Sequence, residues 1–297
     1  MHPELVEFLQ QVFNAVRVSG VYALVALGIT VIFGLTGIVK FSIGELLTLG
    51  AFLSFWFWDS QGLSFFVAVP VAAVAVGALS LGLERAAFRY TLQQPINGFI
   101  VSLGLILVLQ NLIAEVWGTD PQAITTPFAD DIWDLGGVRM PVQSWFVIWV
   151  ATGLIAALFL GLRFTKYGRA MRACAEDREA AALMGIPVDW VIAGTFALGG
   201  VLAAVAGGLL ASIGPFHVFI GAQYLLKGFA VALVGGLGNI EGTVAAALLV
   251  GFTEIMAGGY GPGEWRDAYV FGLMIIVLLM RPTGLFRARG RLQETLQ

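Results

Sequence analysis

The chain has 297 residues, 59% of them hydrophobic and only 12% charged, with a mean hydropathy of +0.89. That balance excludes an ordinary soluble domain and points to a polytopic membrane protein surrounded by lipid. A net charge of -3 argues against a nucleic-acid partner. One cysteine excludes an internal disulfide, and two histidines far apart in sequence leave little for a metal site.

The first segment, "MHPELVEFLQQVFNAVR", lacks the basic start and small-residue cleavage site of a secretory signal. Residues 4–16 are expected to form an interfacial helix. A helix crosses the hydrocarbon core with about 20 apolar residues. Crossings are expected near 18–37, 42–58, 63–83, 96–117, 145–163, 190–213, 225–238, 241–258 and 266–280. The stretch 225–258 is cut by "VGGLGNIEG" and reads either as two crossings or as a pair of broken half-helices. The expected fold is all-α: a single transmembrane domain over 1–297, with about 8–10 membrane helices, some broken and glycine-rich. Most of the 38 glycines lie inside apolar runs, where small residues let helix backbones approach closely.

Charge orients these crossings. Lys40, Arg85, Arg89, Arg163, Lys166, Arg169, Arg172, Arg178, Arg281, Arg287, Arg289 and Arg291 make up 12 of the 16 basic residues, and all fall on one side. The positive-inside rule makes that side cytoplasmic. The loop 118–144 carries Asp120, Asp130, Asp131 and Asp134 against Arg139, so it faces out. Nine crossings then leave the N-terminus outside and the C-terminus in the cytoplasm. Tryptophans such as Trp56, Trp117 and Trp145 fall at outer ends, as an aromatic belt would.

"FGLTGIVKFSIGELLTLGAF" (33–52) loosely echoes "VGGLGNIEGTVAAALLVGF" (234–252). Each has a glycine-rich end, a short break, a glutamate beside glycine and a glycine-spaced apolar helix. Transporters often carry interrupted helices at corresponding positions of two halves. Glycine-rich membrane helices also share composition without sharing ancestry.

One compact charged segment, 164–189, interrupts the apolar pattern. Asp177 is a good N-cap, and Glu179 lies in the first turn, where the helix dipole favours an anion. Ala180, Ala181, Ala182, Leu183 and Met184 are strong helix formers. Gly185 fits the position just past the helix, and Pro187 bars continuation. The result is a helix over 178–184, roughly 10 Å long, too short to stand alone. Arg169, Arg172 and Glu176 recur just before it at spacings of three and four, on one helical face.

The run Glu179-Ala180-Ala181-x-x-x-Gly185 resembles the EAA-x-x-x-G loop of ABC importer permeases. Its surroundings, "KYGRAMRACAEDREAAALMGI", are similar to LivH-type permeases of the branched-chain amino acid importer family. "FGLTGIVKFSIGE", "LVGGLGNIEGTVAAALLVGF" and "MRPTGLF" fit that family too, so the resemblance covers essentially the whole chain. It implies a permease subunit in a bacterial inner membrane, paired with a second homologous permease. Two cytoplasmic ATPase subunits and a periplasmic solute-binding protein would complete the importer. No G-x-x-x-x-G-K-[ST] phosphate loop occurs. The chain is therefore expected to hold no cofactor itself, with ATP and Mg bound by the ATPases. The loop around Gly168, Arg169, Arg172, Glu176, Asp177, Glu179, Ala180, Ala181 and Gly185 would couple those ATPases to the membrane, Ala180 and Ala181 facing the ATPase groove. Two features depart from the family. Ile186-Pro187 follows Gly185 directly, and Ile43 stands where a histidine usually precedes Gly-Glu. The second leaves the substrate open among branched-chain amino acids, amides, urea and small aromatic acids.

The path is expected along 34–50 and 234–251, with Ser42, Glu45, Asn239 and Glu241 supplying polar groups. Glu45 reads either as a cap of the helix starting after Ser42, at the interface, or as a functional carboxylate at membrane depth. Gln110 and Asn111, deep in the fourth crossing, would line a path or bond between helices, worth about 0.6 kcal/mol. Asn239 and Glu241 lie in a break whose backbone must be buried or line a cavity. Glu254, Glu264, Arg266 and Asp267 read as a solvated outer loop or a docking patch for the binding protein. An intramembrane enzyme would need a nucleophile–base pair or a metal, and neither H-E-x-x-H nor G-x-S-x-G occurs. A stand-alone channel or ion-coupled transporter usually carries more ionisable residues within the membrane. Neither rival explains residues 168–186.

Overall fold

The computed structural model describes residues 3–92, 94–126, 131–135 and 138–286. Asp130, Arg287, Arg289 and Arg291, which helped to orient the chain, lie outside the described residues. Helices dominate: α1 (Pro3–Thr36), α2 (Ile43–Asp59), α3 (Phe65–Ala86), α4 (Pro95–Trp117), α5 (Val142–Phe164), α6 (Lys166–Glu176), α7 (Arg178–Leu183), α8 (Val188–Ala211), α9 (Ile220–Gly235), α10 (Ile240–Tyr260) and α11 (Arg266–Met280).

Nine of these, α1–α5 and α8–α11, coincide with the nine expected crossings. Six of them, α1, α3, α4, α5, α8 and α10, are long and apolar enough to cross a membrane. With 17, 16 and 15 residues, α2, α9 and α11 are shorter. They span roughly 22–26 Å against a hydrocarbon core of about 30 Å. The uncertain stretch 225–258 resolves into two helices, α9 starting earlier than expected and α10 at full length. The separate interfacial helix expected at 4–16 does not exist. No proline or glycine falls between Glu4 and Ser19 to end it, so it continues into the first crossing as one helix of 34 residues.

The connection between α4 and α5 contains an antiparallel strand pair that the sequence reading did not expect, β1 (Ile132–Leu135) and β2 (Val138–Pro141). Leu135 pairs with Val138 at its inner end and Ile132 with Pro141 at its outer end.

Helix α8 forms the centre, packed on α1, α2 and α3, while α1 also packs on α9 and α10. Small residues set the spacing there. Gly50 of α2 lies against Ala204 of α8, and Gly207 of α8 against Leu47 of α2. Such close approach replaces the hydrophobic drive that helices lack in lipid. By contrast, α4 and α5 present large apolar side chains outward, among them Ile100, Leu107 and Trp149.

The two echoing segments share a local design, helix–break–helix, and they adjoin in space. Gly34, near the end of α1, backs onto the Gly238 backbone in the α9–α10 break. A turn deeper, Thr30 and Thr243 hydroxyls meet at 2.9 Å. The closing "RPTGLF" tucks beneath the second break, where the Leu285 amide donates to the Val234 carbonyl at 2.8 Å.

Candidate functional site

The segment 164–189 folds as two short helices between α5 and α8. Thr165 opens α6, its hydroxyl accepting from the Gly168 amide at 3.0 Å. Gly168 is buried so close to the Leu162 backbone that a Cβ there has no room. Asp177 ends α6 and caps α7, accepting from the amides of Glu179 at 2.9 Å and Ala180 at 3.1 Å. At the other end, the Gly185 amide donates to the Ala182 carbonyl at 2.9 Å and the Ile186 amide to the Ala181 carbonyl at 3.1 Å. Those paired bonds need the residue after the helix in the left-handed region, and Gly185 has φ of +80°. The capped helix thus forms as its sequence dictates, one residue shorter than expected.

Its outward face differs from the expectation. Ala181 is 4% exposed and belongs to the apolar core, so it cannot face a partner's groove. Ala180 is exposed, and so are Leu183 at 88% and Met184 at 83%. The helix docks through Ala181 because a small side chain lets it lie close to α6 and α8. Arg169 and Arg172 are likewise used within the chain. Arg172 donates to the Leu162 carbonyl and Arg169 to the Phe164 carbonyl at 3.3 Å, where cations satisfy the orphan carbonyls ending α5. Glu176 and Glu179 point to solvent.

Arg178, absent from the expected site, is the residue that reaches furthest. Its Nη2 donates to the Leu35 carbonyl at 2.6 Å, tying α7 to the last turn of α1. Beside it, burial raises the Cys174 thiol above its usual pKa, partly offset by the Arg178 charge. Only the position of Arg178 after a capping aspartate marked it in the sequence.

At the first break, Ser42 and Glu45 share one turn at the start of α2 and are both buried. The expected interfacial cap is not formed. Ser42 makes no side-chain cap bond, and among the described residues Ser42 Oγ and Glu45 Oε2 have no hydrogen-bond partner. Ile43 between them is fully buried, with its Cδ1 against Gly28 of α1. At the second break, Asn239 caps α10, accepting from the Gly242 amide at 2.8 Å, while Glu241 is exposed in the first turn. Gln110 is half-buried in α4. Exposed Asn111 donates to Leu107 one turn earlier at 2.7 Å, so that bond is within the helix rather than between helices.

Two further polar sites escaped sequence reasoning. Lys40, counted among the basic residues of the cytoplasmic side, is completely buried. It donates to Ser80 Oγ at 2.8 Å, and Ser80 donates onward to the Phe196 carbonyl at 2.7 Å. The rings of Phe88 and Phe196 lie 5.4 and 4.9 Å from its Nζ, within cation–π range. Glu254, expected in a solvated loop, is 6% exposed. It accepts from Tyr22 at 2.7 Å and Lys227 at 2.8 Å, and Lys227 also meets Asp267 at 2.9 Å. That cluster joins α1, α9, α10 and α11.

The family model described as "Branched-chain amino acid transport system / permease component" matches residues 11–278. The chain is 34% identical over 302 residues to the high-affinity branched-chain amino acid transport system permease protein LivH of Salmonella typhimurium, covering 96% of this chain and 97% of that protein. It is 33% identical to the corresponding protein BraD of Pseudomonas aeruginosa, with 95% and 97% covered. The ribose import permease protein RbsC of Escherichia coli is 26% identical, with 92% and 85% covered. A solved structure, PsaBC from Streptococcus pneumoniae in complex with Fab, aligns over 95% of this chain and 94% of its own, with a TM-score of 0.49 and 13% identity. The chain belongs to the branched-chain amino acid transport system permease family.

Proposed function

We propose that this chain is the membrane-spanning half of an importer for branched-chain or other hydrophobic amino acids. It works with a second permease subunit, two cytoplasmic ATPases that bind ATP and Mg, and a periplasmic solute-binding protein. It lies in a bacterial inner membrane with its N-terminus outside and its C-terminus in the cytoplasm. The basic loops on one side support that orientation.

The observation that carries this reading is α7. A six-residue helix, capped at both ends and outside the apolar spans, presents Leu183 and Met184 to solvent. Large apolar side chains standing free in water invite a soluble partner, and the ATPases are that partner. Segment 164–189 is then the coupling loop. Gly168, Arg169, Arg172, Asp177, Ala181 and Gly185 shape it from within, and Glu176, Glu179 and Ala180 meet the partner.

The solute path runs along the two adjoining breaks, with Ser42 and Glu45 as its principal polar groups and Asn239 and Glu241 at the second break. Buried polar atoms without partners at membrane depth are costly, and a passing polar solute would satisfy them. Gln110 and Asn111 contribute from α4. The departure at Ile43 does not argue for a different substrate, because that side chain packs into the protein rather than towards a solute.

Reconstitution tests the reading. Vesicles holding this chain alone take up no leucine when ATP is supplied. Vesicles that also hold the second permease and the ATPases, given the binding protein, do. Active uptake by the isolated chain overturns the proposal.

A further inference from the structure

We propose that Arg178 is a positioning residue that passes motion of α7 to the solute path. This rests on reading α7 as the helix the ATPases grip. The Arg178 guanidinium spans 143 positions of sequence to donate to the Leu35 carbonyl at 2.6 Å. Leu35 lies in the last turn of α1, where carbonyls lack helical partners, so a charged donor there holds the turn firmly.

The residues just after Leu35 make this contact more than a cap. The chain turns sharply at Gly37, with φ of +70°, and within a few residues reaches Ser42 and Glu45. The turn is itself stiffened. Thr36 Oγ1 donates to the Ile32 carbonyl at 2.7 Å and accepts from the Ile38 amide at 3.2 Å. Further on, Lys40 is anchored on Ser80 of α3 and between two phenylalanine rings. The break therefore has two handles. Lys40 fixes it to the α3–α8 core, and Arg178 fixes it to α7. Gly34, one residue before Leu35, backs onto Gly238, so a displacement of this turn also reaches the second break. A stiff segment held at both ends and touching both breaks transmits a displacement, where a loose loop would absorb it.

The plainer role is that Arg178 merely caps α1. A lost cap lowers stability, and with it uptake and ATP hydrolysis together. A lost link separates the two. The test uses the complete complex in vesicles and measures solute imported per ATP hydrolysed, alongside membrane abundance and ATPase co-purification. Arg178→Met keeps the stem and drops the donors, and Arg178→Lys keeps a cationic donor. For Arg178→Met, assembly and hydrolysis persist while the ratio of uptake to hydrolysis falls. Arg178→Lys recovers most of the ratio. An unchanged ratio in Arg178→Met, or a parallel fall of uptake, hydrolysis and abundance, overturns the proposal. Glu179→Cys on a Cys174→Ala background reports separately on the underlying reading. It crosslinks to the ATPase if α7 is gripped, and absence of that crosslink overturns both.

Discussion

Gly44 of α2 and Gly221 of α9 pack backbone to backbone. A Cβ on Gly44 would lie 2.6 Å from the Gly221 carbonyl oxygen, and a Cβ on Gly221 would run into the Gly44 carbonyl. The seam matters because Gly44 sits between Ile43 and Glu45, at the start of α2. The position of the Glu45 carboxylate is therefore set by how closely two glycines let α2 and α9 approach.

Gly221→Val is expected to destabilise the protein by about 1–3 kcal/mol, the usual cost of overpacking. It should appear as an earlier thermal unfolding transition in detergent. Gly104, inside α4, has open space around its Cα, so Gly104→Ala should leave stability unchanged or raise it by up to about 1 kcal/mol. Equal effects at the two positions would contradict the packing account.

Leu183→Asp is expected to weaken ATPase co-purification by about tenfold, as removal of an apolar interface anchor does, without lowering membrane abundance. Ala181→Trp should lower abundance, because Ala181 is buried within the chain. Gly185→Val strains a left-handed position by about 1–2 kcal/mol and should reduce transport more than abundance. Pull-down from solubilised membranes together with quantitative blotting separates these outcomes.

The Lys227–Glu254 pair is mostly buried, with side-chain exposures of 16% and 8%. Breaking a buried pair by removing one partner costs about 3–5 kcal/mol, whereas replacing both with apolar residues costs much less. Lys227 keeps Asp267 at 2.9 Å when Glu254 is removed, so Lys227→Met, which leaves the buried Glu254 carboxylate facing only Tyr22, should be more damaging alone than combined with Glu254→Leu. A thermal double-mutant cycle measures the coupling, and strict additivity would show that the pair does not act as a unit.

Cys174 is 1% exposed, and burial raises its thiol pKa. The thiolate is the reactive form, so a raised pKa lowers its fraction at neutral pH. Maleimide labelling of the folded protein should be slow at pH 7, quicken as pH rises, and become fast at any pH above neutral once the chain is unfolded. Rapid labelling of folded protein at pH 7 would place the thiol in solvent.

The nine long apolar helices, six of them long and apolar enough to cross a membrane, and the caps of α7 were legible in the residues alone. A bilayer forces every backbone polar group into a helix, so long apolar runs leave one solution. The caps are equally local, since Asp177 and Gly185 act on amides and carbonyls only a few residues away. Packing of the whole bundle, by contrast, settles which side of each local element meets which neighbour. Ala181 turns inward, Lys40 is buried against Ser80, Phe88 and Phe196, and Glu254 meets Tyr22 from 232 positions away. Arg178 found Leu35 for the same reason. Such contacts depend on interhelical distances and rotations, and those are fixed by small residues meeting across many helices at once.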